Sequence, residues 1–208
     1  MVVFKAAIAG LTKKLAQCAT LSEYMDEAVV TVKNVLRCDM TKVLELCPGG
    51  NKFVIASSRG WPTSNTRLEV PATPDTHAGF TLMQGSAVMF SDSASEERFT
   101  SLELAHENVR SGVAVIIESS RVQQYGLLLC HARQVRTWLP EELLFLQDVA
   151  DLIVVAVNKM ILNGVFDSLM DPVVIVNEEG EVQDGNAMSA MLDLEHCRHV
   201  RDLISCGT

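Results

Sequence analysis

The sequence has no cysteine between Cys47 and Cys130, and its six cysteines, at 18, 38, 47, 130, 197 and 206, form no CxxC pair. Such spacing excludes a disulfide-stapled scaffold and is that of free thiols on apolar faces in a reducing compartment. Basic side chains are also scarce: 17 Lys and Arg face 26 Asp and Glu, for a formal charge of -9. A phosphate-neutralising surface needs the opposite balance, so neither nucleic acid nor direct contact with anionic membrane is expected. Long apolar runs are missing too. The longest, Leu152–Val157, is far short of the ~20 residues that cross a bilayer. Near the start, Lys5, Lys13 and Lys14 interrupt any signal-peptide core, and a cytoplasmic location is expected. Output chemistry is absent: there is no GGDEF sequence and no Walker-type glycine loop, and His106-Glu107 begins like a phospho-acceptor box but lacks the proline that follows in one. No kinase or cyclase chemistry is therefore expected, and the chain is not expected to be an enzyme.

What is present is a folded composition, 48% apolar and 21% charged with a mean hydropathy of +0.20, in a length that fits one domain and part of a second. Phe4, Ile8, Leu11, Leu15 and Cys18 recur at helical spacing. Thr20 with Glu23 is a capping-box signal, after which Leu21, Met25, Val29, Val32 and Leu36 carry a second helical face. Extended runs follow at Thr41–Cys47 and Lys52–Ser57, joined through Pro48-Gly49-Gly50-Asn51 as a hairpin. The stretch 58–111 reads as long loops holding short strands at Arg67–Val70 and Ala87–Phe90 and a short helix near Thr76–Met83. Strands Gly112–Ser119 and Gln124–Ala132 are then expected to pair antiparallel.

Pro140, with Glu141 and Glu142 behind it, opens a long helix. Leu139, Leu143, Leu146, Ala150, Ile153, Val157 and Met160 follow a 4-3-4-3-4-3 spacing along it, an a/d seam. Phe145, Val149, Leu152 and Ala156 form a second stripe beside the first. The seam's partner is either the N-terminal helix of the same chain or the same helix of a second copy. The expectation taken forward is a homodimer through the terminal helices. After Ile161 the pattern resets to a strand at Val173–Val176, a turn at Asn177–Gly180, a strand at Glu181–Gln183 and a short helix from Asn186. The expected division is therefore 1–162 for a first domain and 163–208 for the opening of another.

The order of helix, hairpin, long insert, two strands and exit helix resembles a GAF domain over roughly residues 4–162. The likeness is strongest in Val109–Ile117, Tyr125–Ile153 and the stretch between Gly79 and Phe99. The tail, with its strand, acidic-Gly turn, second strand and Asn186-Ala187, is similar to the start of a PAS (sensory box) domain. Together they look like the sensory part of a bacterial signal-transduction protein, of the histidine kinase or diguanylate cyclase type. The resemblance implies an α+β fold. A six-stranded antiparallel sheet, order 2-1-5-4-3-6 or a close variant, would carry the N- and C-terminal helices on one face and a loop-covered pocket on the other. It also implies an unknown small-molecule ligand, a downstream signalling module and no catalysis. The alternatives kept open are a structural or protein-interaction GAF domain without ligand, and a free methionine sulfoxide reductase-like enzyme.

Specific GAF chemistries find little support. The thiol that carries a bilin in phytochromes lies in the insert, where this sequence has no cysteine. The same gap argues against the reductase thiol pair. Asn51-Lys52 matches only a fragment of a cyclic-nucleotide pattern and reads as a solvated turn. No metal is expected: Cys130 and His131 are adjacent on a strand and face opposite ways, and His196, Cys197 and His199 lack a second half-set of ligands. No cofactor is assigned. Alternation places His131 with Tyr125, Leu127 and Leu129 on one strand face, and Gly126, Leu128 and Cys130 on the other, without deciding which face lines a pocket. Should the first do so, His131 is the polar handle. His77, His106 and Arg110 would then reach in from loops, and Trp61 and Phe80 would act as lids or plugs.

Overall fold

A computed structural model describes residues 2–61, 68–119 and 123–192. The chain divides into two compact units, Met1–Asn158 and Lys159–Thr208, the break falling four residues before the expected one. In the first unit, α1 (Val2–Gln17) and α2 (Leu21–Leu36) precede the strand β1 (Met40–Leu46). The capping box forms as expected: the Thr20 hydroxyl accepts from the Glu23 amide and the Glu23 carboxylate accepts from the Thr20 amide. There follow β2 (Lys52–Arg59), β3 (Glu69–Pro71), α3 (His77–Gln84), β4 (Val88–Phe90), the short α4 (Leu102–His106), β5 (Ser111–Ser119), β6 (Gln123–Ala132) and α5 (Pro140–Asp167).

The six strands form one antiparallel sheet in the order β3-β2-β1-β6-β5-β4. The order differs from the expected 2-1-5-4-3-6 in one respect. The extra strand comes from the insert, as β3, and adds to the β2 edge, where Phe53 pairs with Val70.

Alternation along the strands builds two cores. On one face α1, α2 and α5 pack against Val43, Val113, Val115, Ile117, Leu128 and Cys130, and Phe4 stacks on Phe145 with ring centres 5.0 Å apart. On the other face Leu44, Phe53, Ile116, Leu127 and Leu129 form an apolar layer, beside a second cluster of Met40, Val88, Phe90, Phe99, Leu104 and Val109.

β6 changes phase at its start. Ile117 pairs with Gly126 but Glu118 pairs with Gln124, so Tyr125 is an extra, unpaired residue. Such a bulge shifts the alternation by one. Tyr125 therefore lies in the helix-side core with Leu128 and Cys130, not with Leu129 and His131 as strict alternation predicted. Its hydroxyl bonds Glu45, and burial with that carboxylate raises its pKa. Gly126, beside the bulge, lets β1 come close: a Cβ there would meet the Leu44 carbonyl oxygen at 1.8 Å.

The α5 stripe expected to be a seam is largely the chain's own core. Leu146, Ala150, Ile153 and Val157 are all buried within the first unit, and Leu143 packs at its margin. These side chains are consumed by the sheet and α1, because both apolar stripes of the helix face inward. Only Leu139 among the seven is exposed; Met160 is half-buried. The apolar side chains α5 leaves in solvent are instead Leu144, Val155, Ile161, Leu162 and Val165. Among the described residues α5 is the one helix long and apolar enough to cross a bilayer, judged by length and composition.

The second unit holds the end of α5, an antiparallel pair β7 (Val174–Val176) and β8 (Val182–Gly185), and a 3-10 helix, Ala187–Leu192. Asn186 ties this unit together: its side-chain oxygen accepts from the Val173 and Ser189 amides, and its amide group donates to the Asp171 carbonyl. His196, Cys197 and His199 lie outside the described residues.

Candidate functional site

Beneath α3 and α4 the sheet carries a buried polar cluster. α3 begins at the Thr76 cap, whose hydroxyl accepts from the Gly79 amide, and this sets His77 at the first helical position, facing the sheet. His77 Nε2 lies 3.1 Å from the Val88 carbonyl oxygen, and its Nδ1 lies 3.1 Å from His131 Nε2. Burial lowers the pKa of His77 to about 4 and that of His131 well below its ordinary value, so both rings are neutral near pH 7.

Neutrality fixes the tautomers. A carbonyl only accepts, so His77 Nε2 carries the hydrogen and donates to Val88. His77 Nδ1 is then an acceptor, and His131 Nε2 must donate to it. His131 Nδ1 is left as a bare lone pair, buried and without a partner. Buried polar atoms are nearly always satisfied, which makes this one a notable exception.

Aromatic rings wall the pair. Phe99 stacks on His77 and Phe90 meets it edge-on, both at 5.0 Å, while Trp61 meets His131 edge-on at 5.5 Å. Gly112 lies opposite His131 in the β5–β6 register. A Cβ there would approach His131 Cδ2 to 2.5 Å and the Phe90 ring to 2.7 Å, so the glycine makes the space the imidazole fills.

Lys42 supplies charge. It stands on β1 in phase with Met40 and Leu44, 2% exposed, and its ammonium makes a 2.7 Å ion pair with Glu103 of α4. The same ammonium sits 4.1 Å from the centre of the Trp61 ring. Burial pulls the Lys42 pKa down and Glu103 opposes that shift. The indole Nε1–H of Trp61 is buried without an acceptor. Between Lys42, Thr76, His77, Ser101, Glu103 and His131 the free space is about 10 Å³, room for about one water. Grooves of about 420 Å³, along Lys14, Asp26, Glu27 and Arg59, and 690 Å³, along Glu45, Cys47, Val54 and Glu69, are open and lined mostly by exposed or half-buried side chains.

Of the residues singled out in the sequence, His131, His77, Leu129 and Trp61 meet here, and Phe80 packs at the margin against Phe99. The others do not. His106 points to solvent beside Glu107, Arg110 pairs with Asp92 at 2.8 Å on the surface, and Tyr125 is on the opposite sheet face. Lys42 and Glu103 were missed. The signal for Lys42 was a cation in phase with two apolar residues on a strand; Glu103 carried none. Cys38 and Cys130 belong to the helix-side core, and burial pushes the Cys130 thiol well up, which suits packing and not nucleophilic work. Among the described residues no group of three or more His, Cys, Asp or Glu is placed to hold a metal ion.

Solved structures share the architecture at low identity. The GAF domain of a Coxiella burnetii phosphoenolpyruvate-protein phosphotransferase superposes with a TM-score of 0.70 at 13% identity, over 79% of this chain and 98% of that one. A Neisseria meningitidis free methionine-R-sulfoxide reductase, solved with its substrate, gives 0.64 at 14%, over 74% and 88%. The phycocyanobilin-bound GAF domain of a cyanobacterial phytochrome gives 0.64 at 19%, over 76% and 96%. No curated protein matches the sequence. The GAF domain profile matches residues 20–157, a span that takes in α2, the whole six-stranded sheet and the buried part of α5, and by that match the chain belongs to the GAF domain family.

Proposed function

We propose that this chain is a sensory and dimerising module without catalysis of its own, in which a small molecule bound at the His77–His131–Lys42 cluster alters the packing of α5. The observation that carries the reading is the bare, buried Nδ1 of His131 among aromatic walls. A polar atom costs stability when buried alone, and a ligand's donor would remove that cost. The two faces of the sheet connect the site to α5 directly: His131 faces the pocket, while Leu128 and Cys130 of the same strand touch the helix-side core. In this reading the chain serves a cytoplasmic bacterial signalling protein of the histidine kinase or diguanylate cyclase type. The second unit is then the start of a PAS-like domain, leading to the downstream module. Two copies associate through the terminal helices, at the end of α5 where Leu162 and Val165 are exposed.

Native mass spectrometry of freshly purified protein tests the ligand. A retained small molecule is expected in the wild type and is lost in His131→Leu. A bare protein mass, with no compound from a metabolite panel raising the melting temperature, overturns the sensing reading. One observation favours a second reading, a ligand-free structural or protein-interaction GAF domain: the enclosed space holds about one water, so the pocket is filled by its own side chains. The bare-mass outcome is the one that reading expects.

A further inference from the structure

The groups lining the pocket differ in what each still needs. His131 Nδ1 needs a donor, and Lys42 needs a negative charge. That charge comes from Glu103, on a five-residue helix outside the sheet. The Lys42 side chain is 2% exposed, whereas that of Glu103 is 41% exposed. A carboxylate half in solvent, reaching inward to neutralise a cation on the pocket floor, stands where the anionic group of a bound molecule would stand.

We infer that the pocket takes a small carboxylate bearing an O–H or N–H close to its acid group. Its carboxylate replaces that of Glu103 on Lys42, and its donor bonds His131 Nδ1. This rests on the pocket being a ligand site. His131 pairs with Met40 and Lys42 with Leu129, so the two side chains are diagonal neighbours on one face, with Cα atoms on the order of 7 Å apart. The ligand's acid and donor are therefore separated by only a few bonds, as in a 2-hydroxy or 2-amino acid.

Other ligand classes fit worse. A cation would meet Lys42. A neutral polyol that displaced Glu103 would leave the ammonium buried and unpaired, an expensive outcome. The histidines are neutral and supply no charge. Admission requires α4 to move, because the closed pocket holds about one water. α4 is held inward by one buried apolar side chain, Leu104, and by the Lys42–Glu103 pair itself. The anion that takes over that pair frees the helix.

The test uses the full chain labelled with ¹⁵N-histidine, titrated at pH 6 with L-lactate, propionate and 1,2-propanediol. L-lactate is expected to move the His131 Nδ1 resonance from its bare value towards a hydrogen-bonded one. Its affinity should rise about tenfold in Glu103→Gln, where the competing charge is gone, and propionate should bind about tenfold more weakly for want of a donor. Lys42→Met should abolish lactate binding; Lys42→Gln replaces it if the methionine variant does not fold. Should 1,2-propanediol move His131 equally in wild type and Lys42→Met while lactate does not, the anion inference fails and the pocket reading stands. If no probe moves His131 in Glu103→Gln, the inference also fails, and a bare native mass then removes the sensing reading with it.

Discussion

His77 is neutral because it is packed between Phe90 and Phe99, and that has a consequence for pH. Its folded pKa, about 4, lies below the ~6.5 of an unfolded histidine. Between those values the unfolded chain binds the extra proton, so stability is complete above about pH 6.5 and falls as pH drops towards 4. The single-site loss is about 3 kcal/mol, and His131, shifted in the same direction, adds to it. Urea unfolding at pH 7 and pH 5 should show the loss in wild type and a flatter dependence in His77→Gln. A second residue-scale expectation concerns charge. Lys42→Met should be close to neutral, since it removes the buried charge and the partner it leaves, Glu103, is 41% exposed and stays solvated. Glu103→Ala strands the ammonium and should cost about 1–2 kcal/mol, less than for a fully enclosed pair because solvent reaches Glu103. Chemical denaturation of the two variants compares them directly. At this scale the sequence was only partly legible. His131 was visible as a polar residue in an apolar strand, and His77 and Trp61 as polar or amphipathic residues of the loop-rich insert. His106 and Arg110 carried the same signal and sit outside the pocket, because loop geometry, not residue type, decides where a loop side chain points.

Elements were more legible, since their cause is local. The hairpin, the Thr20–Glu23 cap, β5, β6 and the start of α5 all follow from spacing and end signals. What spacing does not contain is which side of a helix finds a partner. Leu146, Ala150, Ile153 and Val157 have a seam's spacing and a core's burial; the number of apolar stripes a sheet can cover is a tertiary fact. The separation is measurable. Ile153→Arg should abolish cooperative folding, whereas Leu162→Glu with Val165→Glu should leave the fold intact and shift the protein to monomer mass in size-exclusion chromatography with light scattering. An unchanged mass in that double variant removes the dimer proposal. The bulge at Tyr125 was equally unreadable, because one extra residue leaves composition untouched while it reverses the face. Gly126→Ala should lower the unfolding midpoint, since its Cβ would strike the Leu44 carbonyl 1.8 Å away.

For the whole molecule, the two-unit division predicts that a fragment ending at Asn158 unfolds cooperatively by itself. Its midpoint in urea should match the first-unit transition of the full chain, and a large fall would show that the later residues support the sheet. The family was legible because the order of elements is a whole-chain property that survives identity as low as 13%. The order of the edge strands was not, since β3 is three residues long and lies in the variable insert. The two tryptophans of the sequence also divide between the faces of the sheet. Trp61 lies on the pocket side under Lys42, and Trp138 lies in the helix-side core under Arg136, each with its cation 4.1 Å from the ring centre. A cation over an indole perturbs its emission, so the chain contains two native fluorophores with separate assignments. With Trp138→Phe the remaining emission reports the pocket, and with Trp61→Phe it reports the start of α5. The lag between the two signals after rapid mixing would time the passage of a binding event through the sheet.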